Sequence, residues 1–128
     1  MITCRGIWIV LDPGEVINVE IAREHAEASA VQNFGFACME VLEFKNGKVY
    51  QDNISEYTIP DITNVPETKV IFIHKETEHK RITRLGLGDQ AVIGVAPALI
   101  SAIYQATNCD HTKIPCTPET ILHYMENK

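Results

Sequence analysis

Gly86-Leu87-Gly88-Asp89 is the stretch of this sequence whose residue types and spacing could do chemistry. Its two glycines let the backbone approach a ligand closely or adopt a positive φ, so a carboxylate beside them can be aimed into a pocket. The pattern lacks the x-x-G that completes a dinucleotide fingerprint and is only a weak match to that motif. An ordinary tight turn is the alternative, and the residue types alone favour that turn.

Positive charge precedes this stretch at Lys80, Arg81 and Arg84. Basic residues so placed could hold a phosphate, but Glu76 and Glu78 lie nearby in the sequence and would neutralise them. We therefore predict a solvated charged surface here rather than a phosphate site.

The four cysteines include no C-x-x-C pair, and nothing in the sequence indicates an oxidising compartment, so free thiols are expected. Cys109, His111 and Cys116 fall within eight residues and could be considered as zinc ligands. A structural zinc site prefers C-x₂₋₄-C spacing and a fourth nitrogen or sulfur ligand, which this cluster lacks. No metal site is predicted.

The chain has 128 residues, with 11 Lys and Arg against 17 Asp and Glu and a net charge of −6. This length and an ordinary composition predict one compact domain over residues 1–128. The acidic balance argues against a nucleic-acid partner, which would need clustered cations. The longest apolar runs, residues 7–11 and 95–100, are far shorter than the ~18–20 residues of a membrane span, and the N-terminus lacks a secretory-signal pattern. We expect a cytoplasmic protein with no membrane segment.

The first half of the chain predicts a strand followed by a long helix. Residues 6–11 are apolar and β-branched and stop at the turn signal Asp12-Pro13-Gly14. Asn18 is a plausible N-cap for a helix that runs without proline to about Leu42. A stripe of small and apolar residues recurs at helical spacing along it, and Gly35 within the stripe indicates close approach of another element. The stripe consists of Ala28, Val31, Gly35, Cys38 and Leu42.

The remaining elements follow from local signals. A hairpin is predicted around Asn46-Gly47, which suits a type I′ turn, and residues 69–74 are predicted as a buried strand. Pro97 suits the first position of a helix ending near Thr107, and Thr117-Pro118-Glu119 begins a short final helix. The order predicts an α+β fold: a small mixed sheet, one long helix packed across it, a β-hairpin after that helix and two C-terminal helices.

Five short motifs stand out together in this sequence. They are Asp12-Pro13-Gly14-Glu15-Val16-Ile17-Asn18, Glu27-Ala28 with Gln32-Asn33-Phe34-Gly35, Glu56-Tyr57-Thr58-Ile59-Pro60, Gly86-Leu87-Gly88-Asp89, and Ile114-Pro115-Cys116-Thr117-Pro118-Glu119. In this order and spacing they resemble the C-terminal end of the molybdenum-binding subunit of the xanthine dehydrogenase and aldehyde oxidase family. The resemblance spans nearly the whole chain but covers only the last portion of that subunit. The larger preceding part of the subunit and the iron–sulfur and flavin modules have no counterpart in this sequence.

The resemblance implies roles for particular residues. In the family, a glutamate directly after the glycine pair is the general base in the hydroxylation of an electron-poor carbon of an aldehyde or N-heterocycle. Asp89 occupies that position, and its side chain is one methylene shorter, which withdraws the carboxylate by roughly 1–1.5 Å and can cost about a hundredfold in rate. The family's cofactor-side glutamine and glycine correspond here to His25 and Ala28. The resemblance thus assigns catalysis to Asp89 and cofactor binding to His25, Ala28, Gly86 and Gly88.

Three hypotheses follow. In the first, the chain is the C-terminal domain or a split-subunit fragment of a molybdenum hydroxylase. It lines the molybdopterin site of the complete enzyme, binds no cofactor alone, and works with the rest of the subunit and with iron–sulfur and flavin partners. In the second, it is a non-catalytic assembly or binding module, as the residues at Asp89, His25 and Ala28 suggest. In the third, it is an unrelated α+β domain. A fragment would expose an apolar face, so self-association is expected, through the small-residue side of the long helix or residues 86–95.

Overall fold

The computed structural model describes residues 3–73 and 85–126, so His74 of the predicted strand and the charged cluster at residues 76–84 lie outside the described residues. The α+β class is confirmed, and the strands divide between two small sheets. The elements in chain order are β1 (Gly6–Leu11), α1 (Val19–Cys38), β2 (Phe44–Lys45), β3 (Lys48–Val49), β4 (Glu67–Phe72), α2 (Leu87–Ile93), α3 (Val95–Thr107) and α4 (Pro118–Glu126).

A parallel pair formed by β1 and β4 supports the first core. The register places Leu11 opposite Phe72, and alternate side chains of the two strands face the helices. Leu11 and Val70 are buried there against Ala26 of α1 and Ala91 of α2. This packing joins distant parts of the chain, since β1 and α2 lie far apart in the sequence and contribute to the same core.

Helix α1 begins as predicted and ends earlier than predicted. The side chain of Asn18 accepts a hydrogen bond from the backbone N–H of Ile21 at 3.0 Å, which confirms the N-cap. The backbone N–H groups of Met39 and Glu40 both donate to the Gly35 carbonyl, at 2.8 and 2.9 Å, and close the helix at Cys38. The helix therefore ends four residues before Leu42.

The prediction that the stripe of small and apolar residues forms the buried face of α1 is wrong. Ala28 and Leu42 are exposed, and Val31 and Cys38 are only partly buried. Small residues occur all around this helix, so apolar spacing alone does not tell which side faces the core. The buried residues are Ala26, Ser29, Ala30, Asn33, Gly35 and Ala37.

The close approach expected at Gly35 is confirmed. A Cβ added at Gly35 would lie 2.6 Å from Cδ and 2.8 Å from Cγ of Pro60, and 2.5 Å from Oε1 of Glu40. The hydroxyl of Tyr57 donates to the Glu40 carboxylate at 2.5 Å, and this hydrogen bond raises the pKa of Tyr57. The segment around Pro60 is thus held directly against the end of α1.

We expect Gly35→Ala to lower the free energy of unfolding by about 1–3 kcal/mol, because the methyl group would overlap the rigid ring of Pro60. The better helix propensity of alanine, about 1 kcal/mol, offsets only part of that cost. Gly94→Ala is the control, since Gly94 has a helical backbone and nothing lies within 4 Å of an added Cβ. Urea unfolding of both variants measures the difference, and equal stabilities would contradict the close contact at Gly35.

The hairpin and the last helices follow their local signals. Asn46 and Gly47 have φ of 53° and 78°, as a type I′ turn requires, and join β2 to β3. Helix α4 begins at Pro118, and Thr120 donates its backbone N–H to the Thr117 hydroxyl at 3.3 Å. Helix α3 begins at Val95 rather than Pro97, because Gly94 has a helical conformation and connects α3 to α2. Helix α2 was not predicted from the sequence.

A second core lies under α4. Ile103, Cys116 and Ile121 are buried together, with Cys38 and Ile100 packed against them. The backbone N–H of Cys116 donates to the Ala37 carbonyl at 2.7 Å, which ties the segment before α4 to the end of α1.

The segment Leu87–Thr107 contains α2 and α3, and its 21 residues are long and apolar enough to cross a membrane by length and composition alone. The expectation that no segment meets this condition was therefore wrong, because scattered glycine, serine and glutamine interrupt the apolar runs without making the segment polar on average. A single helix of this kind is weak evidence for a membrane, since core helices of soluble proteins meet the same condition.

Candidate functional site

A cavity of about 430 Å³ lies where the turn after β1, the first turns of α1 and the start of α2 meet. It is lined mostly by apolar side chains, with polar groups from Glu15, Asn18 and His25. A concave apolar site with a few polar groups is the usual form of a ligand pocket. The apolar and small lining residues are Pro13, Val16, Ile17, Ile21, Ala22, Leu85, Leu87 and Gly88.

The turn after β1 is built by Asp12, Pro13 and Gly14. Gly14 has a positive φ of 69°, which glycine adopts without strain, and its N–H donates to the Asp12 carboxylate at 3.2 Å. The N–H of Leu85 donates to the Pro13 carbonyl at 3.0 Å. This bond fixes the segment before α2 against the turn and closes one side of the cavity.

The structure brings His25 and Gly88 together, although they lie 63 positions apart in the sequence. Both line the cavity, and a Cβ added at Gly88 would lie 4.0 Å from Nε2 of His25. His25 is on the exposed side of α1. Its imidazole can donate or accept a hydrogen bond toward a group held beside Gly88.

The other predicted site residues lie outside the cavity lining. Ala28 is exposed one turn after His25, and Gly86 is the N-cap of α2, with φ −65° and ψ 121°. Asp89 is exposed in the first turn of α2, next to Gly88. The positive φ offered by the two glycines is not used, since Gly86 is extended and Gly88 is helical. Over the described residues, a Cβ added at Gly86 would meet nothing within 4 Å, and one added at Gly88 would meet only His25.

The cavity also contains residues that were not predicted to be site residues. Glu15, Ile17 and Asn18 belong to the motif that follows β1. The sequence predicted a turn and a helix N-cap in this motif, but no residues that line a cavity. The signal was present, because a turn that directly precedes an N-cap brings its side chains beside the first turn of the helix.

The cysteines show no sign of reactivity or metal binding. All four are free thiols, as expected, and burial, followed by the neighbouring thiols of Cys116 and Cys4, raises the pKa of Cys38 to about 11. Over residues 3–73 and 85–126, no three His, Cys, Asp or Glu side chains are grouped to hold a metal ion. His111 is buried edge-on against the ring of Tyr124, 4.8 Å between centroids, with no hydrogen-bond partner on either ring nitrogen.

Comparison with known proteins identifies relatives for most of the chain. The family model described as a molybdopterin cofactor-binding domain matches residues 1–66. The chain is 28% identical over 115 residues to a probable xanthine dehydrogenase subunit of Bacillus subtilis (strain 168), covering 90% of this chain and 15% of that protein. It is also 28% identical over 127 residues to the membrane-bound aldehyde dehydrogenase [pyrroloquinoline-quinone] of Gluconacetobacter polyoxogenes, covering 99% of this chain and 16% of that one.

A similar fold occurs in solved structures. The crystal structure of quinoline 2-oxidoreductase from Pseudomonas putida 86 superposes with a TM-score of 0.84 at 21% identity, over 94% of this chain and 16% of that chain. At this identity the likeness shows the fold alone. This chain spans about a sixth of the length of the proteins it matches.

Proposed function

Since the chain belongs to the family of molybdopterin cofactor-binding domains, we propose that it is the C-terminal part of the molybdenum-binding subunit of a hydroxylase of the xanthine dehydrogenase and aldehyde oxidase type. The proposed domain covers residues 1–128 and forms one wall of the cofactor site. The remaining walls come from the rest of the subunit, because the chain matches only 15–16% of the length of its relatives. Alone, the chain is inactive and holds no molybdopterin.

The observation that carries this proposal is the meeting of His25 and Gly88 at one cavity. These residues come from two separate motifs, one on α1 and one at the start of α2. They meet because α1 and α2 pack directly against each other, with Ala26 and Ala91 of these helices buried together with Leu11 and Val70 of the β1–β4 pair. A third motif, the turn ending at Asn18, lines the same cavity.

The proposed ligand of this cavity is part of a molybdopterin. Gly88 carries no side chain, so the space beside His25 stays open to a planar heterocycle with polar edges. In the proposal, His25, Glu15 and the side-chain NH₂ of Asn18 bind such edges, since the Asn18 oxygen already caps α1, and Ile17 and Leu87 are apolar walls. In the complete enzyme Ala28 and Gly86 lie at the margin of this site, where their small size allows close approach.

Asp89 is proposed to accept a proton at its carboxylate during hydroxylation, while the bound cofactor supplies the redox chemistry. It follows Gly88 in the first turn of α2 and is not among the residues that line the cavity. The side chain is exposed here, and a general base works best when it is partly desolvated. The rest of the subunit must therefore cover Asp89 to make it an effective base.

The proposal includes a substrate class, partners and a location. The substrate is a small aldehyde or an electron-poor N-heterocycle, and the electrons leave through iron–sulfur and flavin subunits or domains. The complete enzyme acts in the cytoplasm, without a nucleic-acid partner. The net charge of −6 supports the last point.

A non-catalytic assembly or binding module is the second candidate. It is favoured by the exposure of Asp89 and its absence from the cavity lining, together with the shorter reach of aspartate. In this alternative the cavity and the fold are kept for holding the subunit together. The two candidates differ in one property: the assembled protein oxidises a substrate or does not.

Purification of the tagged chain from the cells that produce it, together with its bound subunits, tests the proposal. We expect stoichiometric molybdenum by elemental analysis, the fluorescence of oxidised pterin, and oxidation of an aldehyde or N-heterocycle with an artificial electron acceptor. The same chain expressed alone is the control and should contain neither molybdenum nor pterin.

A complex that contains molybdenum and pterin but oxidises no member of either substrate class would favour the non-catalytic module. A complex without molybdenum would contradict the first candidate and favour the non-catalytic module. A complex that holds pyrroloquinoline quinone, the cofactor in the name of the Gluconacetobacter relative, would also contradict the first candidate.

A further inference from the structure

Strand β1 lies at an open edge of its sheet. Among the described residues β1 pairs only with β4. The N–H of Ile73 donates to the Leu11 carbonyl at 2.8 Å, so Leu11 directs its backbone groups toward β4. In a parallel ladder the direction alternates along the strand, so Trp8 and Val10 direct their N–H and C=O groups to the opposite, open edge. An extended segment bound along this edge could form backbone hydrogen bonds with these groups, as an added β-strand does.

Within residues 3–73 and 85–126, the outer face of this sheet is apolar and exposed. Trp8, Val10, Ile71 and Ile73 are each more than half exposed, and the first three lie in the paired strands. Parallel sheets normally have both faces covered, and a two-stranded sheet is marginally stable without more strands or packing. Exposed apolar groups side by side on a sheet mark an interaction surface.

An apolar groove of about 970 Å³ runs beside the first half of β1. Its lining includes Ile7 and Trp8 of β1, Phe34 of α1, and Leu99 and Ala102 of α3. Its charged lining residues are one of each sign, an arginine and a glutamate. The groove therefore suits an uncharged, apolar stretch of polypeptide and not a charged one.

We propose that the open edge of β1 accepts a β-strand from the remaining part of the molybdenum-binding subunit, and that apolar residues continuing from this strand fill the groove. The inference rests on the proposed function and specifies where the chain and the rest of the subunit join. The matched region is 15% of the Bacillus relative and 16% of the quinoline 2-oxidoreductase chain, so about five-sixths of each lies outside this fold. The uncovered edge, face and groove are the contacts that such a remainder would make.

Hydrogen exchange with residue-level readout compares the purified complex with the chain expressed alone. We expect the amides of Trp8 and Val10 to exchange at least about tenfold more slowly in the complex, because they gain hydrogen bonds that the free edge lacks. The amides of Ile9 and Leu11 already face β4, so their exchange should change less. This alternation separates strand addition from general stabilisation.

A photoreactive amino acid in place of Trp8 identifies the occupant by mass spectrometry of the cross-linked peptide. Ile62, which is 95% exposed, is the control site for the same replacement. Val10→Lys should reduce the yield of the complex severalfold, since a charge on the outer face opposes apolar packing, and Ile62→Lys should leave the yield unchanged.

A cross-link from position 8 to another part of a molybdenum-binding subunit, with slowed exchange at Trp8 and Val10, supports the inference. A cross-link to a second copy of this chain, or unchanged exchange at both amides within a complex, overturns it. The molybdenum content of the same complex reports on the proposed function separately. A molybdenum-containing complex with an unprotected β1 contradicts only the docking surface, and a protected β1 without molybdenum contradicts only the function.

Discussion

Replacing Asp89 by alanine in the assembled enzyme is expected to lower kcat by about 10²–10⁴-fold, the usual contribution of a general base. The cofactor content should not change, because Asp89 lies outside the cavity lining and its exposed side chain supports no packing. Steady-state kinetics with an aldehyde or N-heterocycle, together with molybdenum analysis of each preparation, measure the effect.

Asp89→Glu is the informative counterpart. The added methylene extends the carboxylate by roughly 1–1.5 Å, and a misplacement of that size can cost about a hundredfold in rate. We therefore expect Asp89→Glu to retain activity or to exceed the wild-type rate by up to about a hundredfold.

Asp110→Ala controls for the loss of an exposed carboxylate elsewhere and should leave kcat unchanged. An Asp89→Ala enzyme as active as the wild type would exclude Asp89 as the base.

The second large effect is expected at Ile121 in the core under α4. Its side chain is 3% exposed and packs with Ile103 and Cys116. Ile121→Ala should lower the free energy of unfolding by about 2–5 kcal/mol, through lost burial and the cavity left behind. Urea unfolding of the chain measures it from the shift in midpoint at constant slope.

Leu122→Ala is a matched control, because Leu122 is the next residue of the same helix and is 56% exposed. Both replacements improve helix propensity slightly, so the difference between them reports burial. Leu122→Ala should change the free energy of unfolding by about 0.5 kcal/mol or less. Equal losses at the two positions would mean that α4 does not pack as the structure has it.

Local signals predicted local structure well. The Asn18 cap, the Asn46-Gly47 turn and the start of α4 at Pro118 are all confirmed, because each depends on residues within four positions of one another. The close contact at Gly35 was also predicted, since a glycine inside a helix costs about 1 kcal/mol and needs a compensating reason. The identity of its neighbour, Pro60, depended on the fold.

Three features could not be predicted in the same way. The buried face of α1 was misassigned, because small residues lie on every side of the helix and packing against β4 and α2 selects the face. Helix α2 was missed, because seven residues with a glycine have little helical preference of their own and are stabilised by burial of Ala91. The apolar length of the segment Leu87–Thr107 was underestimated, because scattered glycine, serine and glutamine interrupt its apolar runs without making the segment polar on average.

By itself the sequence determined the α+β class, the helix caps, the hairpin and the residues singled out by the family resemblance, since these depend on residue type and short spacing. Only the tertiary structure decided that His25 and Gly88 share a cavity with the turn before Asn18, and that Asp89 is exposed and outside the lining of that cavity. The physical reason is that no short sequence pattern determines this cavity. It forms where α1 and α2 pack on the β1–β4 pair, and that packing depends on burying apolar surface from distant parts of the chain.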